Sequence, residues 1–129
     1  MIRSAALSAL LVIVLSAAAA AETVTLPASA KKVTKDEFTA FIDGKSVEVI
    51  IYDLDKPVTA LLTWSWKKKT ITGAALVDGK DKVKVSTKWS FDGDMACTDS
   101  GGCHDIYVDG NSFYEVRPDG GVHAVSTIK

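Results

Sequence analysis

The chain has 129 residues, of which 47% are hydrophobic, and its formal net charge at pH 7 is −1. This length suffices for one small domain with one core. A near-neutral charge gives no electrostatic argument for nucleic-acid binding, so we expect no nucleic acid as a partner. The acidic residues are twelve Asp and only four Glu. Because Asp favours turns and helix caps, this imbalance predicts a protein that is not mainly helical.

The N-terminus has the three-part pattern of a secretory signal peptide. Arg3 supplies a short charged region, residues 5–16 form an unbroken apolar run, and an alanine-rich stretch ends at Ala21. A transmembrane anchor needs roughly 20 apolar residues, and the strongly apolar run is shorter than that. We therefore predict a signal peptide over residues 1–21 and one β-rich domain over residues 22–129. The mature protein would be periplasmic or secreted, without a transmembrane segment.

The first predicted element after the signal peptide is a short helix. Thr34 and Glu37 form a capping box, in which each side chain satisfies a backbone N–H group at the helix start. Apolar side chains then recur on one helical face, at Phe38, Phe41 and Ile42. The pattern predicts a helix over residues 35–42 that stops before Gly44. Such a short helix is not stable alone, so it must pack against another element.

The rest of the chain consists of β-like runs, punctuated by Asp-Gly pairs that favour tight hairpin turns. The clearest run covers residues 82–91, where apolar or bulky side chains alternate with lysine and serine. Six other runs lie at residues 46–52, 59–66, 70–77, 104–108, 112–117 and 121–128. About seven short strands predict a mainly β fold, an antiparallel meander that forms a small barrel or a sandwich, with one short N-terminal helix.

A tryptophan pair is followed directly by three lysines. Trp64 and Trp66 share one face of a predicted strand, and the next residues are Lys67, Lys68 and Lys69. In one interpretation the tryptophans belong to the core and the lysines to a solvated turn. In the other, these residues are candidate ligand contacts, an aromatic and basic surface for a sugar, an anionic polymer or a membrane headgroup. Three lysines are too few to indicate nucleic-acid recognition.

The two cysteines of the chain, Cys97 and Cys103, lie in the stretch CTDSGGCHD. In an exported chain an even cysteine count predicts a disulfide. The residues between the cysteines, Ser100 to Gly102 above all, can turn the chain tightly, which places the two thiols at the neck of a hairpin. Haem attachment would require two intervening residues, and this chain has five.

Two kinds of metal site are alternatives to the disulfide. A transition-metal site would draw on Cys97, Cys103, His104 and His123, but oxidation of the thiols competes with it in an export compartment. A calcium loop is suggested by Asp92, Asp94 and Asp99, although the required spacing and the closing glutamate are absent. We therefore expect a structural disulfide between Cys97 and Cys103, and neither a metal nor a cofactor.

Catalytic motifs are absent from the sequence. His104 adjoins Asp105, but adjacent strand residues point to opposite faces of a sheet. His123 alternates with the apolar residues Val122 and Ala124, which predicts a solvated strand face for the histidine. The chain has no nucleophile elbow, no phosphate-binding glycine loop and no zinc-binding helix motif. No catalytic residue is assigned, and an enzyme that uses His104 or His123 remains the alternative.

Three segments carry a resemblance to a known family: TKDEFTAFIDGKSV, KWSFDGDMAC and CHDIYVDGNSFYEVRPDGG. Over roughly Thr34 to Gly121, with a Trp-x-x-Asp-Gly strand and a cysteine pair, the chain resembles small exported proteins of alphaproteobacteria. That family is catalogued only as a domain of unknown function. The resemblance implies a secreted or periplasmic β-rich fold with a disulfide, and it assigns no activity and no catalytic residue.

Taken together, these patterns predict a small binding or interaction module of the cell envelope. Its partner would be an envelope protein, a glycan or a small amphiphile, and a barrel interior able to hold a ligand would favour the small molecule. One form of the protein-binding version is an inhibitor of a cell-wall hydrolase that inserts the loop over residues 97–103. A small periplasmic enzyme and a structural envelope component are the alternatives from other functional classes.

Overall fold

The computed structural model describes residues 24–129, and the predicted signal peptide over residues 1–21 lies outside the described residues. Within that range the helix α1 covers Lys35–Ile42. The strands are β1 Lys31–Lys32, β2 Ser46–Ile51, β3 Val58–Ser65, β4 Thr70–Val77, β5 Asp81–Asp92, β6 Met95–Thr98, β7 Gly102–Asp109, β8 Ser112–Val116 and β9 Val122–Ile128. Across this described part of the chain, no helix has the length and apolar character needed to cross a membrane.

Strands β2 to β9 form a closed antiparallel barrel in which neighbours in sequence are neighbours in the sheet. The barrel closes between β9 and β2, where Val49 lies opposite Ser126. The two-residue strand β1 pairs with the C-terminal half of β7 and lies outside the barrel order. The predicted antiparallel meander with one short helix is therefore confirmed, and the barrel is the correct alternative rather than the sandwich.

All seven predicted β runs are strands, and β6 is an additional one. It has only four residues, Met95–Thr98, which is too short to show a two-residue alternation. It pairs with β5 on one side and with the first residues of β7 on the other. This extra strand makes the count even, so that consecutive hairpins can close the barrel with antiparallel pairing throughout.

Helix α1 begins with the predicted capping box. The Thr34 hydroxyl oxygen accepts a hydrogen bond from the backbone N–H of Glu37, and the Glu37 carboxylate accepts one from the backbone N–H of Thr34 at 2.8 Å. A third group, the Asp94 carboxylate in the β5–β6 turn, accepts from the backbone N–H of Lys35 at 2.8 Å. The helix start is therefore tied to the barrel as well as capped locally.

The helix closes one end of the barrel with an aromatic cluster. Phe38 is fully buried, and its ring centroid lies 4.9 Å from that of Phe113 and 5.6 Å from that of Trp64. The interior toward the other end carries smaller side chains: Val49, Val58, Ala60, Ala75 and Ala124. Small side chains do not fill a barrel of eight strands, so a cavity remains at the end away from the helix.

The cysteines form the predicted disulfide. Cys97 on β6 and Cys103 on β7 lie directly opposite each other in the strand ladder, and their sulfur atoms are bonded. At the tip of this hairpin the Thr98 hydroxyl accepts a hydrogen bond from the backbone N–H of Gly101 at 2.9 Å. The disulfide and this turn hold the hairpin tip at the rim of the cavity.

Candidate functional site

The barrel encloses a cavity of about 320 Å³. Aliphatic side chains of β2 to β5 form one wall, among them Val49, Ile51, Val58, Ala60, Leu62 and Val85. Polar side chains from the other half of the barrel form the opposite wall, among them Thr98, Ser100, Glu115, His123 and Ser126. A mainly apolar cavity of this size with a few convergent polar groups is typical of small-molecule sites, at the lower end of their size range.

Asp53 organises the polar end of this cavity from the β2–β3 loop. Its Oδ2 atom accepts hydrogen bonds from His123 Nδ1 at 2.9 Å and from Arg117 Nη1 at 2.8 Å. Burial is the largest influence on the pKa of Asp53 and raises it, but the hydrogen bonds and charges of His123 and Arg117 together hold the pKa below its usual value. Asp53 is therefore an anion that fixes the orientation of the His123 ring.

A β-bulge brings His123 to the cavity wall. Val116 pairs with Val122 and Glu115 pairs with Ala124, so His123 is an extra residue without a position opposite it on β8. Its side chain is only 18% exposed and lines the cavity. The predicted solvated strand face for His123 is therefore wrong, because the bulge interrupts the alternation on which that prediction was based.

The free edge of His123 lies near the disulfide hairpin. Because Nδ1 donates to a carboxylate, Nε2 of the neutral ring carries a lone pair and can accept a proton or a hydrogen bond. A methyl group placed on Gly101 would lie 4.0 Å from His123 Nε2. The glycine therefore leaves this edge of the ring accessible from the cavity rim.

His104 lies beneath His123 and is buried. The two imidazole rings are parallel to within 5°, with centroids 4.4 Å apart. Burial is the main cause that lowers the pKa of His104, and the neighbouring charge of His123 lowers it further. Asp105 points elsewhere and forms an ion pair with Lys32 at 3.5 Å. His104 and Asp105 therefore do not form a pair of general base and orienting carboxylate. Strand geometry predicts this, because adjacent side chains point to opposite faces of the sheet.

Glu115, like Asp53 and Arg117, is a candidate site residue that the sequence patterns did not indicate. It lies opposite Ile106 on β7 and Ala124 on β9, two buried apolar residues, so its side chain points into the barrel. Burial raises the pKa of Glu115 to about 7, while His123 opposes this shift and Asp53 adds to it. The signal that could have revealed it is its spacing of two from Phe113 on the same strand face.

The five candidate ligand contacts of the tryptophan–lysine stretch lie in different surroundings. Trp64 is 3% exposed and lies between the aromatic cluster and the cavity, which it helps to line. Trp66 is half-buried outside the cavity lining, and Lys69 Nζ lies 3.3 Å from its ring centroid. Lys67 and Lys68 are exposed in the β3–β4 turn. The structure therefore brings Trp64 alone to the cavity, with an indole Nε1 that finds no hydrogen-bond partner within residues 24–129.

Several of the candidate metal ligands are engaged in other contacts. Cys97 and Cys103 are consumed by the disulfide, and Asp94 caps helix α1. Over residues 24–129, no three His, Cys, Asp or Glu side chains are arranged so that they could hold a metal ion.

Comparison with known proteins gives no guide to the function, so the function has to be argued from the geometry of the cavity. The chain matches no protein-family model, no curated protein and no solved structure.

Proposed function

We propose that this protein is an exported binding protein that holds a small amphiphile inside its barrel. The observation that carries the proposal is the cavity of about 320 Å³, which has an aliphatic wall facing a polar one. An amphiphile satisfies both walls, since its apolar part removes aliphatic surface from water and its head group meets polar side chains. Binding inside a preformed barrel requires little rearrangement of the protein.

The export part of the proposal is supported by two independent features. The N-terminal residues have the pattern of a cleaved signal peptide, and the chain carries a disulfide between Cys97 and Cys103. Disulfides form and persist in oxidising compartments such as the periplasm or the extracellular space. The resemblance to small exported proteins of alphaproteobacteria points to the same location.

A cavity-filling substitution tests the proposal. Ala75 faces the cavity and Ala74, its neighbour on β4, faces outward, so Ala75→Leu and Ala74→Leu add the same atoms on opposite sides of the barrel wall. We expect purified wild-type protein to bind 1-octanol in calorimetric titrations. Because overpacking and ligand exclusion act together, Ala75→Leu should weaken binding by about tenfold or more. Ala74→Leu should bind as wild type does. Equal binding by both variants, or a wild type that binds no amphiphile of this length, would contradict the proposal.

The second candidate is a small hydrolytic enzyme, and the Asp53–His123 contact favours it. An imidazole that donates from Nδ1 to a carboxylate and presents Nε2 to a cavity has the arrangement of a general base. The structure favours His123 over His104 for this role, because His104 lies beneath the other ring and is buried. In screens against ester, glycoside and peptide substrates, an activity that His123→Gln abolishes and His104→Gln leaves measurable would support the enzyme. Absence of turnover across these panels would count against it.

A further inference from the structure

The Glu115 carboxyl group faces the cavity without a partner. Among residues 24–129 it has neither a hydrogen bond nor an ion pair. Its neighbours across the strand ladder are Ile106 and Ala124, which offer no donor side chain. A carboxyl group that faces a mainly apolar cavity is unfavourable in its charged form unless a donor or a cation reaches it.

The other charges at this end of the barrel do not neutralise Glu115. The positive charge of Arg117 is already paired with Asp53, whose Oδ2 atom lies 2.8 Å from Arg117 Nη1. Burial favours the neutral form of His104. His123 donates its Nδ1 proton to Asp53 and not to Glu115. When Glu115 ionises, the cavity therefore gains one negative charge that no described residue compensates by direct contact.

We propose that the cavity binds a primary alkylamine, with the ammonium group at Glu115 and the hydrocarbon chain against the aliphatic wall. This inference rests on the proposed function, and it names the chemical class of the ligand. An ammonium ion supplies the charge and the donors that Glu115 lacks. Its remaining N–H groups can donate hydrogen bonds to other lining atoms, among them His123 Nε2 and the Ser126 hydroxyl oxygen.

The size of the cavity limits the length of the amine. If each non-hydrogen atom occupies the ~30 Å³ of a liquid water molecule, the cavity volume of about 320 Å³ holds about ten atoms. n-Octylamine has nine non-hydrogen atoms. It is matched in length by 1-octanol, which is neutral, and by octanoate, which carries the opposite charge. These three compounds separate the contribution of the head-group charge from that of the chain.

The charge of Glu115 also gives amine binding a pH dependence. Glu115 must be ionised to pair with the ammonium group, and its pKa of about 7 places that ionisation near neutral pH. The charged groups that act on it are His123 from β9 and Asp53 from the β2–β3 loop. His104 from β7 stacks on His123, and Arg117 from the β8–β9 turn binds Asp53. We expect n-octylamine to bind more tightly at pH 8 than at pH 6, and 1-octanol to bind alike at both.

The experiment is calorimetric titration of the purified protein at pH 8 with the three compounds. We expect n-octylamine to bind about 10- to 100-fold more tightly than 1-octanol, the range that a charge-assisted hydrogen bond in a buried site corresponds to. Octanoate should bind more weakly than 1-octanol. Glu115→Gln should reduce the preference for the amine to near unity. Glu48→Gln, the same change on the exposed face of β2, should leave it unchanged.

The outcomes separate this inference from the proposed function. If 1-octanol binds and n-octylamine binds no better, or if Glu115→Gln keeps the amine preference, the alkylamine inference is wrong while the cavity function stands. If none of the three compounds binds to the wild type, the proposed function fails as well. A preference for octanoate would overturn the inference and assign the cavity to anionic amphiphiles instead.

Discussion

At the scale of single residues, the dominant feature of this protein is the Glu115 carboxyl group, which faces the cavity without a partner among residues 24–129. Partial burial of Glu115 at the cavity wall raises its pKa to about 7. A raised carboxyl pKa means that the folded state binds this proton more tightly than the unfolded state does. The folded protein is therefore destabilised wherever the group is forced to ionise.

The first prediction is a pH dependence of the free energy of unfolding. Between pH 4.5, the usual pKa of the glutamate, and pH 7, the folded state holds a proton that the unfolded state has released. Stability contributed by Glu115 is thus present below pH 4.5 and is lost as the pH rises through 7. The full loss corresponds to about 3 kcal/mol. Urea denaturation of wild type and Glu115→Gln at pH 5 and pH 8 measures it, because glutamine cannot ionise.

The comparison with Glu115→Gln is needed because other groups titrate in the same window. The lowered pKa of His104 gives a contribution of opposite sign, which increases as the pH rises toward 6.5. Asp53, with a lowered pKa, loses its stabilising effect only in acid, below its ordinary value of 3.8. Both effects are common to the two proteins and cancel in the difference. Parallel pH profiles for wild type and Glu115→Gln would show that the carboxyl group is not desolvated.

The second prediction concerns the tautomer of His123. Since Asp53 accepts a hydrogen bond from Nδ1 at 2.9 Å, the neutral ring should carry its proton on Nδ1. Nitrogen-15 NMR at high pH distinguishes the two ring nitrogens directly. Asp53→Ala, which removes the acceptor, should abolish the preference for the Nδ1 proton. Since Asp53 is 28% exposed, the substitution should cost only about 1 kcal/mol of stability. A proton on Nε2 in the wild type would contradict the orienting role of Asp53.

At the scale of elements, features with a local sequence signal could be predicted, whereas the register between strands could not. The capping box at Thr34 and Glu37 and the apolar spacing of the helix lie within a few residues of each other, so the bounds 35–42 were predicted correctly. The position of His123 depends on the register between β8 and β9, which is set by contacts far apart in sequence. A single extra residue in a bulge reverses the face of a side chain, and alternation along one strand does not reveal it.

The third prediction concerns the β6–β7 hairpin as an element. The disulfide between Cys97 and Cys103 closes a short loop, and the chain-entropy relation assigns such a loop about 2 kcal/mol. The double variant Cys97→Ser/Cys103→Ser should lose that amount of unfolding free energy in urea denaturation. Wild type denatured under a thiol reductant should match the variant. A variant as stable as the oxidised wild type would show that the strand ladder alone fixes the hairpin.

At the scale of the whole molecule, the barrel has two unlike halves. Aromatic side chains fill the half beneath the helix, and small aliphatic side chains leave the other half hollow. The sequence allowed prediction of seven of the strands, the helix and the disulfide, because each has a local pattern. The cavity was not predictable, since it depends on which small residues face each other after closure of β9 against β2. Glu115 became recognisable only when the inward face of β8 was known.

The helix closes one end of the barrel, and substitution of its buried phenylalanine tests that role. Phe38 is fully buried against Trp64, Trp89 and Phe113, so its removal would open the filled half of the barrel toward the cavity. Phe38→Ala should cost about 3–5 kcal/mol, as for other buried aromatic truncations.

Phe41, half-buried on the same helix, provides the matched control for Phe38. Phe41→Ala should cost less, because part of its side chain is already in contact with water. A loss of 3–5 kcal/mol is a large part of the stability of a small domain, so Phe38→Leu, with an expected cost of about 1–2 kcal/mol, keeps the test measurable if Phe38→Ala does not fold. Urea denaturation gives all three values. Equal losses for Phe38→Ala and Phe41→Ala would mean that the helix packs on the barrel surface rather than closing its end.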